Sequence, residues 1–204
     1  EGETLRQRLA NGAMSLSEAL GTFVPLASAL DHAHDQGIFH RDLKPANVIL
    51  CADGPRLVDF GIAALAREPA PLGEVQMGTL AYLPPEAFGA GPGGPAAMDV
   101  YAFGLLLHEA LTGLRGFAVR PGVTAEEAAR DIAERKRWQG PFDPGERFPH
   151  RLREVVRSAT DPDPERRPPM RDVRAWLESL QERRAPPTDA TLYVPDPRAS
   201  SAGS

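Results

Sequence analysis

Apolar positions along the chain set the first landmarks. Leu20, Val24, Ala27, Leu30 and Ala33 recur at the interval of one helix face, and Ser15 followed by Glu18 has the spacing of a capping box. The pattern predicts a helix over 16–35, ended by Gly37. Pro25 lies inside it and removes a backbone donor, so a kink or a cost of about 3 kcal/mol is expected unless packing compensates. The period then shortens. Val48-Ile49-Leu50 and Arg56-Leu57-Val58 are β-prone runs separated by a turn containing Asp53-Gly54, which predicts a hairpin between 47 and 60. Residues 61–95 are rich in Gly, Pro and Ala and predict an extended loop of a length that belongs to functional or disordered segments.

The segment from Asp99 to Leu111 is apolar on nearly every face, which predicts a helix buried all round and closed by Gly113. Three amphipathic helices are expected over 124–138, 151–160 and 170–184, the last with Val173, Trp176, Leu177 and Leu180 on one face. Beyond Arg184 the chain is largely Pro, Ala, Ser and Thr, predicting a disordered tail over 185–204. No repeats occur. The fold class is therefore mainly α (α+β), with one small hairpin.

Composition narrows the partners. A chain of 204 residues suits one core, and a net charge of -5 argues against a nucleic-acid footprint. Cys51 is the only cysteine, which rules out an internal disulfide and points to the cytoplasm. The sequence offers no membrane segment and no secretory leader.

Chemistry concentrates between 37 and 61. Asp42 can take a proton from an incoming hydroxyl, Lys44 can neutralise phosphate charge, and Asn47 and Asp59 can offer oxygens to a hard divalent cation. These residues read His40-Arg41-Asp42-Leu43-Lys44-Pro45-Ala46-Asn47 and Asp59-Phe60-Gly61, in that order and with the hairpin between them. The pair closely resembles the catalytic loop and metal-binding turn of protein kinases, and in style the bacterial Ser/Thr kinases. The resemblance extends through Gly78-Thr79 and Tyr82-Leu83-Pro84-Pro85-Glu86, where Pro84 replaces the family's alanine, and through Asp99-Val100-Tyr101-Ala102-Phe103-Gly104 to Arg167.

This resemblance implies a protein-kinase-like large lobe over 1–184 that uses ATP and Mg²⁺ on a protein substrate bearing Ser or Thr. It makes Asp42, Lys44 and Thr79 the catalytic set, Lys44, Asn47, Ile49 and Asp59 the cofactor contacts, and Asn47 and Asp59 the metal ligands. It also implies that Asp99 anchors the catalytic-loop backbone and that Arg167 pairs with Glu86, a pair whose disruption typically costs about 3–5 kcal/mol if buried. Lys44 and Thr79 favour Ser/Thr over Tyr as acceptor, although Thr79 also reads as a simple turn residue.

Residues 61–78 contain no Ser, Thr or Tyr. Arg41, which in many relatives grips a phosphate on this loop, could instead pair with Glu68 or Glu74.

The upstream half of a kinase is not found. No Gly-x-Gly-x-x-Gly precedes the first predicted helix, and Lys44 and Lys136 are the only lysines, so none is left for the strand position that contacts ATP. Residues 1–10 resemble the segment just after the family's inter-lobe hinge, and the start at Glu1 agrees with a truncated fragment. An alternative reading is a pseudokinase-like docking module without catalysis, against which the retained Asp42, Asn47 and Asp59 argue. His32, His34 and His40 could suggest a metal cluster, but His34 reads as a helix end and His40 as part of the loop motif. Arg135-Lys136-Arg137-Trp138 reads as a solvated helix end, and Cys51 as a small buried apolar residue.

Overall fold

A three-residue strand, β1 (Gly2–Thr4), runs directly into helix α1 (Leu5–Ala10) because Thr4 closes a capping box with Gln7. The computed structural model describes residues 2–60, 77–89 and 93–183. Ser15 and Glu18 form the expected box at the start of α2 (Leu16–Asp35), and Gly37 follows its end with φ 71°. Pro25 leaves this helix unbroken. Both Pro25 and Gly21, whose carbonyl loses its partner, face solvent, so water can reach the group while Phe23, Leu26 and Ala27 stay buried.

The hairpin forms as β2 (Val48–Cys51) and β3 (Gly54–Leu57), with Cys51 opposite Gly54 and Val48 opposite Leu57. β1 adds antiparallel to the other edge of β2, giving the order β1-β2-β3 with Thr4 opposite Ile49. This strand and α1 were not expected, because segments so short carry no period to read. Cys51 is only half-buried at the strand end, which corrects the buried reading: a residue beside the turn has cover on one side alone.

Residues 77–89 of the expected long loop include two short helical turns. A single turn, α3 (Met77–Leu80), and a 3₁₀ turn at Pro85–Phe88 precede α4 (Pro95–Thr112). Helix α4 begins earlier than its apolar run, with Pro95 in the first turn where its missing N–H costs nothing. Every residue from Asp99 to Leu111 is buried, and Gly113 ends the helix in the left-handed conformation at φ 73°. Helices α5 (Ala125–Trp138), α6 (His150–Ala159) and α7 (Met170–Glu182) follow, each within two residues of its expected bounds. The predicted tail over 185–204 lies outside the described residues.

The main core surrounds α4. Phe23 of α2 meets Phe103 edge-on at 5.4 Å, and Val155, Val156 and Ala159 of α6 close another side. A Cβ on Gly104 would come within 2.8 Å of Ala159 and Thr160, so only glycine lets these helices approach so closely. Helix α7 packs Val173 and Leu177 into the same core, and its Arg174 pairs with Asp31 of α2 at 3.3 Å. A smaller cluster joins Leu80 to Ala128, Ala129 and Ile132 of α5.

Candidate active site

The loop between α2 and β2 is held from beneath by one carboxylate. Asp99, 1% exposed near the start of α4, accepts the backbone N–H of His40 at 2.8 Å and of Arg41 at 2.7 Å. His34, at the end of α2, donates from Nε2 to the same group at 2.9 Å. These bonds hold Arg41 at φ 62°, a left-handed conformation that costs a non-glycine residue about 1–2 kcal/mol. His40 is fully buried and donates from Nε2 to the Val58 carbonyl at 3.0 Å, which ties the loop to the end of the hairpin. The His40 ring rests against Phe60 at 4.8 Å. Its role is packing and tethering.

Asp42 therefore sits on a fixed loop, and three side chains converge on it. Lys44 Nζ donates to Oδ2 at 2.7 Å, Asn47 Nδ2 to the same oxygen at 3.2 Å, and Thr79 Oγ1 to Oδ1 at 3.1 Å. Lys44 also donates to Thr79 Oγ1 at 2.9 Å, so the hydroxyl joins carboxylate and ammonium. The turn reading of Thr79 thus gives way to a bridging one. The Asp42 side chain keeps 30% of its surface exposed, so an incoming hydroxyl can reach it. A shallow cleft lined by Arg41, Asp42, Thr79, Tyr82, Leu83 and Pro84 opens beside it.

Asn47 and Asp59 have oxygens to spare. Asn47 Nδ2 also donates to the Asp42 carbonyl at 2.9 Å, which turns its Oδ1 away from these bonds. The Asn47 carbonyl accepts the Val58 N–H at 3.0 Å, bringing the chain to Asp59 beside the loop. Asp59 is exposed and left-handed at φ 61°, and its carboxylate has no hydrogen-bond partner among the described residues. An amide oxygen and a carboxylate, both without a partner among the described residues, are the donor set a hard divalent cation takes. Ile49 lies half-buried in β2, two residues beyond Asn47.

The segment after Thr79 is anchored separately. Arg167 donates to both Glu86 oxygens, at 2.5 and 2.9 Å, and neither side chain is more than 7% exposed. Arg167 further donates to three carbonyls, including that of Ala97 at 3.1 Å. Tyr82 donates to Glu109 Oε2 at 2.6 Å, and burial together with that carboxylate pushes its phenol well above the usual range. Glu109 was not singled out by the sequence, and His34 was read there only as a helix end, since each is polar on a helix and its partner is remote.

Lys136 corrects the sequence reading outright. It is 1% exposed, not solvated, because the last turn of α5 presses it against Phe117 and Tyr101 while Arg135, Arg137 and Trp138 stay outside. No group of His, Cys, Asp and Glu among the described residues could hold a metal ion by itself, so the His32, His34 and His40 cluster is not formed. No helix among them is long and apolar enough to cross a membrane. The expected pairing of Arg41 with Glu68 or Glu74 lies outside the described residues.

Known proteins match this sequence. The protein kinase domain model aligns with residues 1–176. The chain is 36% identical over 153 residues to the probable serine/threonine-protein kinase PkwA of Thermomonospora curvata, covering 74% of this chain and 19% of that protein. It is 33% identical over 169 residues to the serine/threonine-protein kinase PrkC of Bacillus subtilis, covering 80% and 25%. Over 116 residues it is 39% identical to the probable serine/threonine-protein kinase PknB of Lactococcus lactis, covering 55% and 18%. The chain spans a quarter or less of the length of each of these relatives.

Proposed function

Because the chain belongs to the protein kinase family, we propose that it is the catalytic lobe of a Ser/Thr kinase acting on protein hydroxyls with ATP and Mg²⁺. The observation that carries this reading is the Asp42 carboxylate, bonded to Lys44, Asn47 and Thr79 yet open on one side. ATP with its metal supplies the transferable γ-phosphoryl group and a counter-charge for the phosphates.

The residues divide the remaining work. Asp42 accepts the proton of the substrate hydroxyl as that oxygen attacks, and its bonds to Asn47 and Thr79 keep the free lone pairs aimed at the cleft. Lys44 puts a positive charge within 2.7 Å of the base, where it neutralises negative charge developing on the phosphoryl oxygens. Asn47 Oδ1 and the Asp59 carboxylate would hold the cation. Thr79 bridges the base and the ammonium and lines the wall against which the acceptor residue lies.

None of the described residues forms a glycine-rich cover or a strand lysine for the phosphates, so transfer also requires a second, small lobe. The test compares this chain with a version carrying the coding sequence upstream of Glu1, each incubated with γ-labelled ATP, Mg²⁺ and a generic protein substrate. We expect label on Ser and Thr from the extended version only. Label on Tyr would refute the acceptor assignment, transfer by the 204-residue chain alone would refute the need for a second lobe, and no transfer by either would favour a docking module.

A further inference from the structure

Lys136 is a buried cation that the chemistry above leaves unused. Its ammonium donates to the Ala81 carbonyl at 3.0 Å and lies 3.8 Å from the centre of the Phe117 ring and 5.1 Å from that of Tyr101. No carboxylate pairs with it among the described residues. Burial, reinforced by the neighbouring Arg135 and Arg167, drives its pKa well below the usual lysine value. A site that only needed filling would take leucine or methionine at less cost, since a buried charge is retained at the expense of its hydration.

The carbonyl it holds stands two residues after Thr79. The Thr79 carbonyl accepts the N–H groups of Tyr82 at 2.9 Å and Leu83 at 3.3 Å, so residues 79–83 form one tight turn. Three anchors fix that turn: Leu80 sits among Ala128, Ala129 and Ile132 of α5, the Ala81 carbonyl rests on Lys136 of α5, and Tyr82 bonds Glu109 of α4. Helix α5 supplies two of the three. The same turn carries the Thr79 hydroxyl to Asp42 and Lys44.

We propose that Lys136 is a positioning residue, which by fixing the Ala81 carbonyl holds the Thr79 hydroxyl against Asp42 and so couples helix α5 to the catalytic loop. The consequence for phosphoryl transfer rests on the kinase reading, whereas the mechanical coupling does not.

Two measurements on Lys136→Met, which keeps an apolar stem and removes the ammonium, separate these levels. Amide hydrogen exchange on the 204-residue chain should show Tyr82 and Leu83 exchanging at least 10-fold faster, with Leu30 and Leu106 within twofold of the unaltered protein. In the version with upstream coding sequence, kcat should fall about 10- to 100-fold with KM for ATP within twofold, and Lys136→Arg, which keeps a cationic donor, should recover most of the loss. Faster exchange at the turn without phosphoryl transfer by any variant, including the unaltered protein, would sink the kinase reading and leave the coupling standing. Unchanged exchange at Tyr82 and Leu83 would overturn the proposal, as would an equal acceleration at Leu30 and Leu106, which marks general destabilisation. If Lys136→Met fails to fold, Lys136→Gln is read in the same way, and failure of both would make the residue a folding element and overturn its positioning role.

Discussion

Asp99 shows how one buried side chain sets the geometry of others. It takes the N–H of His40, the N–H of Arg41 and the Nε2–H of His34, and it touches no part of the proposed reaction. Replacing it with alanine strands those donors, and each unsatisfied buried group costs about 1–3 kcal/mol. Asp99→Ala should therefore lower the urea midpoint of the chain clearly, as followed by circular dichroism, and an unchanged midpoint would show that the loop holds itself. At this scale Asp42, Lys44, Asn47, Asp59 and Thr79 were legible because their order and spacing form a joint pattern, and the structure brings the first three and Thr79 within hydrogen-bond reach. His34 and Lys136 were not. The neighbours that decide their environment, Asp99 and Ala81, arrive from 65 and 55 residues away, and nothing in the local sequence announces them.

Elements were legible where a period or a cap was long enough to read. The box of Ser15 and Glu18 is an example, and it also makes a prediction about pH. Hydrogen bonds from the Ser15 backbone and hydroxyl, then from Arg8, lower the Glu18 carboxyl from 4.5 to about 2. A carboxyl depressed in the folded state contributes stability that is present above its unfolded value and disappears as pH falls through the folded one. The chain should lose this contribution between about pH 4.5 and pH 2, and Glu18→Gln, which keeps an acceptor for the cap but cannot titrate there, should flatten that part of the profile. Urea unfolding at stepped pH measures it, and identical slopes for both proteins would contradict the assignment. The boxes at Thr4 and Thr124 have the same spacing, yet only the second precedes a segment long enough to show a helical period. β1 gains its structure wholly from pairing with β2, an interaction absent from its own three residues.

At the scale of the molecule, the site is a meeting of three assemblies: the loop and sheet bearing Asp42 and Asp59, the turn bearing Thr79, and the α4 core beneath both. Glu86 and Arg167 fasten the second to the third, and their burial makes the bond an all-or-nothing one. Arg167→Ala leaves the Glu86 carboxylate enclosed without a partner and should destabilise the chain by about 3–5 kcal/mol. Differential scanning calorimetry checks this, and a loss below about 1 kcal/mol would place the pair with ordinary surface bridges. The overall class was legible because the 99–111 run is apolar on all sides and demands helices around it.

The most direct measurement of the central claim is the rate of γ-phosphoryl transfer to a protein substrate by the version with upstream coding sequence, unaltered and as Asp42→Asn. The amide keeps the size of the carboxylate and its Oδ1 can still meet Thr79, but it cannot take a proton, and general-base catalysis contributes typically 10²–10⁴-fold. The account predicts a loss of about that size with the fold intact by circular dichroism. Transfer by Asp42→Asn at the unaltered rate would contradict it.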